Sequence, residues 1–189
     1  MKSGHAASTR REPLVIYTVG HSTRELSAFL ELLHDYGLRE LVDVRTIPRS
    51  RRNPQYNAET LPQALAEAHI RYTHLAALGG LRRAARDSIN MGWRNASFRG
   101  FADYMRGTEF ERGVERLIEL GSARPAAIMC AEAVPWRCHR SLIADALVVL
   151  GIRVRHILSA SQVRDHTLTP FAKVKEGRIS YPQNPDASA

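Results

Sequence analysis

Residues 15–44 read VIYTVGHSTRELSAFLELLHDYGLRELVDV, and this stretch decides the fold class. Val15 to Val19 is an apolar, β-branched run of strand length closed by Gly20, and Glu40 to Val44 is a second such run. Between them Leu26, Phe29, Leu30 and Leu33 recur at helical spacing until Gly37 stops the helix. Ser22 and Glu25 have the spacing of a capping box at its start. Strand, helix and strand in such short compass form a β-α-β crossover, whose right-handed form lays its two strands parallel.

The alternation continues downstream. A helix is expected near Leu61 to His69, with Thr60 and Gln63 as a second capping box, and then a strand over Ile70 to Leu75. Thr108 with Glu111 caps a further helix striped by Val114, Leu117 and Ile118. Strand Ala126 to Met129, helix Cys138 to Leu150 and strand Arg153 to Ile157 complete the series. The expectation is a single-domain α/β three-layer sandwich, with a mainly parallel sheet of about five strands and helices on both faces. Residues 14–178 would form it, behind a flexible basic leader at 1–13 and ahead of a flexible, proline-bearing tail at 179–189. Gly79 to Gly100 alone has no periodic pattern, and so long an irregular stretch in a compact domain is usually functional.

Composition narrows the classes. A chain of 189 residues with 44% hydrophobic and 24% charged residues is an ordinary globular domain, which excludes whole-chain disorder and collagen-like structure. No run of 18 apolar residues is present, so no membrane partner is expected. Two cysteines are too few for a disulfide scaffold, and the expected setting is reducing and cytoplasmic. The net charge of +8 is segregated: residues 45–100 hold ten basic and three acidic groups, and all ten cations are arginines. Arginine's planar fork suits phosphate or carboxylate, so this middle segment points to an anionic ligand or to nucleic acid.

In open parallel sheets ligands bind beyond the carboxyl ends of the strands. The residues found there are Gly20-His21-Ser22, Asp43 to Arg45, His74, Cys130-Ala131-Glu132 and His156. The densest is CAEAVPWRCHR at 130–140. Cys138 opens a helix beside Arg137, His139 and Arg140, a setting that lowers a thiol's pKa and makes it a nucleophile. Cys130, Cys138 and His139, helped by His21 or Glu132, also fit a zinc or iron site by ligand type, although their spacing is not a standard zinc-knuckle one. A third reading makes both cysteines small buried hydrophobes. No nucleotide-cofactor motif is present.

His21 and Ser22 follow a strand and open a helix, where backbone N–H groups can cradle phosphate, although Ser22 also serves as a cap. Asp43 and Arg45 fall on one side of their strand. They either pair with each other, or Asp43 orients His21 as acid or base while Arg45 and Arg140 clamp an anion. Glu132 is a second carboxylate. Arg49 and Arg51 lie in RTIPRSRRNPQY, and Arg94 and Arg99 alternate with Trp93, Phe98 and Phe101 in GWRNASFRGF. Arginines among aromatics are the recipe for holding single-stranded nucleic acid, and also that of a charged loop over packed rings.

Four ordered motifs carry a family resemblance: TVGHS at 18–22, LVDVR at 41–45 leading to PRSR at 48–51, YTHL at 72–75 before LGG at 78–80, and CAE at 130–132 before CHR at 138–140. With them the chain resembles the domain of unknown function 488 family from about residue 15 to 175. The resemblance implies an α/β fold and a site built from those motifs, without a reaction. Three readings stay open: an enzyme acting on an anionic, nucleotide-like or nucleic-acid-like substrate; a non-catalytic module gripping nucleic acid or a partner through residues 45–100; and a cysteine-based metal or redox sensor.

Overall fold

The computed structural model of the protein describes residues 13–183. Five strands are parallel: β1 (Val15–Gly20), β2 (Glu40–Asp43), β3 (Arg71–His74), β4 (Ala126–Cys130) and β5 (Arg153–Ser159). A sixth, β6 (Gln162–Asp165), returns antiparallel along β5, and the order across the sheet is β3-β2-β4-β1-β5-β6. The helices are α1 (Leu26–Asp35), α2 (Leu61–Glu67), α3 (Ala96–Tyr104), α4 (Thr108–Ala123) and α5 (Arg140–Val149).

Strand order and handedness together assign the faces. The connections from β1 to β2 and from β2 to β3 step toward one edge, while those into β4 and β5 step toward the other. Right-handed crossovers in opposite directions lie on opposite faces. Accordingly α1 and α2 bury Phe29, Leu33, Leu61 and Leu65 against Val19, Leu41 and Met129 on one side. On the other, α3, α4 and α5 bury Phe101, Leu117, Leu142 and Leu147 against Ile16, Val42 and Ile128. The three-layer α/β sandwich is therefore present, and β1 and β4, whose following helices diverge to opposite faces, lie side by side at its centre.

The structure differs from the sequence reading in identifiable places. β6 is short and charged, QVRD, so it has no apolar run to reveal it. The ordered chain also continues past 178. Lys173–Lys175 (β7) and Arg178–Ser180 (β8) pair as a hairpin through a tight turn, and Tyr181 is fully buried with its hydroxyl on Asp145 at 2.8 Å. This segment covers α5, whose residues from Arg140 to Leu147 are all buried. The expected leader lies, but for Pro13, outside the described residues, as do residues 184–189 of the expected tail.

None of the three capping boxes forms. Glu25 caps α1, without a side-chain bond. Ser22 stands at φ 51° because the backbone N–H groups of His21 and Ser22 bond to Cys130 O (3.0 Å) and Ala131 O (2.9 Å), prolonging the β1–β4 pairing instead of starting a helix. The Thr60 hydroxyl bonds back to Pro54 O, and Gly107, not Thr108, precedes α4. α3 takes over the end of the irregular stretch, capped by Asn95, whose Oδ1 accepts from Ser97 N–H at 2.8 Å. No helix among the described residues is long and apolar enough to cross a membrane.

Candidate functional site

At the carboxyl ends of β1, β2 and β4 the chain leaves an open cleft of about 490 Å³. His21, Arg45, Cys130, Cys138 and His139 lie at its lining, with Arg49, Glu132 and Arg137 beside them. Ile47 and Leu81 also line it and are 64% and 71% exposed, which gives the cleft apolar lips over a polar floor.

Cys138 follows the 3₁₀ turn Pro135–Arg137 and stands two residues ahead of α5. Its Sγ accepts the Nε–H of fully buried Arg140 at 3.4 Å and lies 3.5 Å from His139 Nδ1. His139 Nε2 is 3.0 Å from Val44 O. A carbonyl only accepts, so Nε2 carries a proton, and Nδ1 is the atom turned to the sulfur, donating to a Cys138 thiolate when the ring holds its second proton as the imidazolium of a Cys138–His139 ion pair. Gly80 makes that ring position accessible, since a Cβ there would stand 2.4 Å from Nδ1, and this gives the LGG motif a physical reason. The second sulfur, Cys130 Sγ, lies within 4.8 Å of both Cys138 Sγ and the His139 nitrogen. The Cys130 thiol, His139 and Arg140 together hold the Cys138 thiol well below its ordinary pKa, against the opposing effect of burial. Cys130 is pushed up, first by sharing its proton with Cys138 and then by burial. The contacts of Arg140 and His139 thus favour negative charge on Cys138 over Cys130. By type and count the same three atoms could accommodate a soft divalent ion with one open position.

The second half of the floor is an arginine held rigidly. Arg45 Nε donates to Asp43 Oδ1 at 2.9 Å and Nη2 to Oδ2 at 2.5 Å, while Nη2 also donates to Tyr56 O at 2.6 Å. Burial opposes the charge of Arg45, and the Asp43 carboxylate outweighs it. Tyr72 donates to Asp43 Oδ2 at 2.9 Å. Asp43 therefore orients Arg45 and makes no bond to His21, so the expected carboxylate–histidine pair does not form. His21 instead donates Nδ1–H to Ser22 O at 2.8 Å, stacks on Tyr56 at 4.1 Å and offers its Nε2 lone pair to Arg45 Nη1 at 3.4 Å. Burial lowers its pKa to about 4, with the nearby arginines adding to the effect. It is a neutral imidazole at pH 7.

The remaining candidates divide. Arg49 lines the cleft and pairs with exposed Glu59 at 3.2 Å. Arg140 is not an anion clamp, because its guanidinium is spent on Cys138 Sγ and Glu132 O. Ser22 has its N–H on Ala131 O and is no phosphate cradle. Arg51 and Arg94 are exposed outside the cleft lining, and Arg99 donates to Trp93 O at 3.3 Å. Of the rings expected to stack bases, Phe101 is fully buried and Trp93 packs on Phe98, Phe171 and Tyr181, while Phe98 also lines the cleft. His156 sits inside β5, bonded to Thr18 Oγ1 (2.8 Å) and His166 (2.9 Å), and His166 reaches Asp145 at 2.8 Å. That is a buried network under the β7–β8 hairpin, not part of the cleft. Sequence reasoning missed Arg137 as a cleft residue and Tyr56 and Tyr72 as supports, and the Arg-rich flank of Cys138 was the available signal for the first.

The family described as "Domain of unknown function DUF488" matches residues 25–147. The chain belongs to that family. The match takes in the DVR, LGG, CAE and CHR segments, while TVGHS precedes it. No curated protein and no solved structure matches the chain.

Proposed function

We propose that this DUF488 chain is a thiol-dependent enzyme acting on a phosphate ester of nucleotide type, bound in the cleft between the ends of β1, β2 and β4. The supporting observation is a single one: the low-pKa sulfur of Cys138 lies at the floor of a cleft that also carries Arg45, Arg49 and Arg137. A thiolate is the reactive form of cysteine, and guanidinium groups at the cleft, above all those of exposed Arg49 and Arg137, favour the charge of a phosphoryl group and of its transition state. Cys138 Sγ attacks phosphorus, an S–P bond forms, and the P–O ester bond breaks. The departing alkoxide keeps that electron pair and takes a proton from water. A second water then attacks phosphorus, the S–P bond breaks, and the thiolate returns. The apolar lips at Ile47 and Leu81 suit the base or other organic part of the substrate.

The test is alkylation of Cys138 by iodoacetamide with and without nucleoside monophosphates or inorganic phosphate, alongside a turnover screen of nucleotide esters. The reading expects protection by the anion and turnover that Cys138→Ser abolishes. Unaltered alkylation by every anion, with no turnover, would remove it.

A second reading has its own observation. Arg51, Arg52, Arg83, Arg86 and Arg94 are exposed and make no ion pair among the described residues, as on a surface for a polyanion. If five of them met phosphates of duplex DNA, log affinity would fall with log salt at a slope of about −4.5. Salt-insensitive binding, or none, counts against it.

A further inference from the structure

Two thiols share the floor of the cleft, and phosphate-ester chemistry uses only one. Both are free cysteines, both line the cleft, and their sulfurs lie within 4.8 Å. Cys130 ends β4, and Cys138 stands just ahead of α5. The connection between them exposes Ala131, Glu132, Ala133, Trp136 and Arg137, while Ala131 O accepts from Ser22 N–H and Glu132 O from buried Arg140. A disulfide requires the sulfurs to close to about 2.05 Å.

We propose that Cys138 and Cys130 form a two-cysteine pair that reduces hydroperoxides and thereby switches the cleft off reversibly. The inference rests on the reading of Cys138 as a thiolate, and not on the identity of the phosphate ester. Cys138 sulfur attacks the terminal oxygen of a hydroperoxide, an S–O bond forms and the O–O bond breaks. The alcohol or water leaves with that electron pair and a proton, so the sulfur loses two electrons and the peroxide gains them. Cys130 then gives up its proton and attacks the sulfenic sulfur. The S–S bond forms, the S–O bond breaks, and water departs. A dithiol reductant restores both thiols by exchange.

The surroundings of the two sulfurs suit this order of events. Arg140 Nε–H and His139 Nδ1, at 3.4 and 3.5 Å, face the first sulfur and not the second, which assigns the attacking and resolving roles.

The test uses the reduced full chain, hydrogen peroxide and intact-mass measurement after quenching with iodoacetamide. The wild type should lose both free thiols and two hydrogens in an intramolecular Cys130–Cys138 disulfide, recovered fully by dithiothreitol. Cys130→Ser should gain two oxygens at Cys138, beyond recovery by dithiothreitol, and Cys138→Ser should consume no peroxide. Rapid alkylation of Cys138 at neutral pH without disulfide formation overturns the pair while leaving the thiolate intact. Slow alkylation overturns both. A stoichiometric zinc ion in freshly isolated protein, with thiols inert to peroxide, overturns the pair in favour of a metal centre.

Discussion

Acidification should weaken the fold through two buried imidazoles. Burial holds His21 and His156 at a pKa of about 4, against 6.5 in the unfolded chain. Between those values the unfolded state binds more protons than the native state, so stability is complete above pH 6.5 and is lost as pH falls toward 4. At pH 5 the unfolded imidazole is almost wholly protonated and the native one about a tenth so, which is worth about 2 kcal/mol per histidine. His21 is 1% and His156 7% exposed, so little is lost to solvent, but with some screening through the cleft mouth the pair together should contribute about 3 kcal/mol. That is a large share of the roughly 5 to 15 kcal/mol that holds a domain together. Urea unfolding at pH 8, 6 and 5 measures it directly, and the denaturant midpoint should fall steeply between 6 and 5. His21→Asn should halve the slope of stability against pH in that interval, whatever it does to stability at pH 8. Equal stability at pH 5 and 8, or an unchanged slope in the variant, would refute the burial argument.

Other outcomes follow from named contacts. Asp43→Asn removes the carboxylate from buried Arg45 and should cost about 3 to 5 kcal/mol in urea unfolding, because the guanidinium stays behind uncompensated. Tyr181→Phe deletes one of the donors to Asp145 and should cost about 1 to 2 kcal/mol without changing the alkylation rate of Cys138, since the contact lies behind α5. Gly20→Ala places a methyl group 1.9 Å from Glu132 O, so the loop bearing Cys130 and Cys138 must shift, and alkylation of Cys138 at neutral pH should slow several-fold in whatever fraction folds.

Much of the fold was legible because apolar runs of strand length alternate with amphipathic helices, and that alternation permits few topologies. What escaped has little pattern. β6 and the β7–β8 hairpin are short, exposed and charged, and they are held by pairing and by Tyr181 more than by their own composition. The cleft was legible as a set of strand ends but not as a set of partnerships. Period-two alternation put Asp43 and Arg45 on one side and could not say that Asp43 would choose Arg45 over His21. The first capping box failed for a similar reason: Ser22 has the right residue three positions on, yet its N–H is claimed by Ala131 O just past β4, more than a hundred residues away in the chain. His156 reads as a strand-end residue when the strand is drawn from Arg153 to Ile157, whereas β5 continues through Leu158 and Ser159.

The central place of β1 bears on how the molecule is made. Its partners are Ala126–Cys130 on one side and Arg153–Ile157 on the other, so this strand leaves the ribosome more than a hundred residues ahead of either neighbour. Loop closure over such separations slows folding. Until then Val15 to Val19 is an apolar segment with both edges unpaired, the kind of surface that nascent-chain chaperones shield. Cys130 reaches its place only with β4, and Cys138 only with the helix behind it. The two sulfurs therefore meet only when β4 and α5 have docked, at the one place where the strands before and behind them in the chain come together.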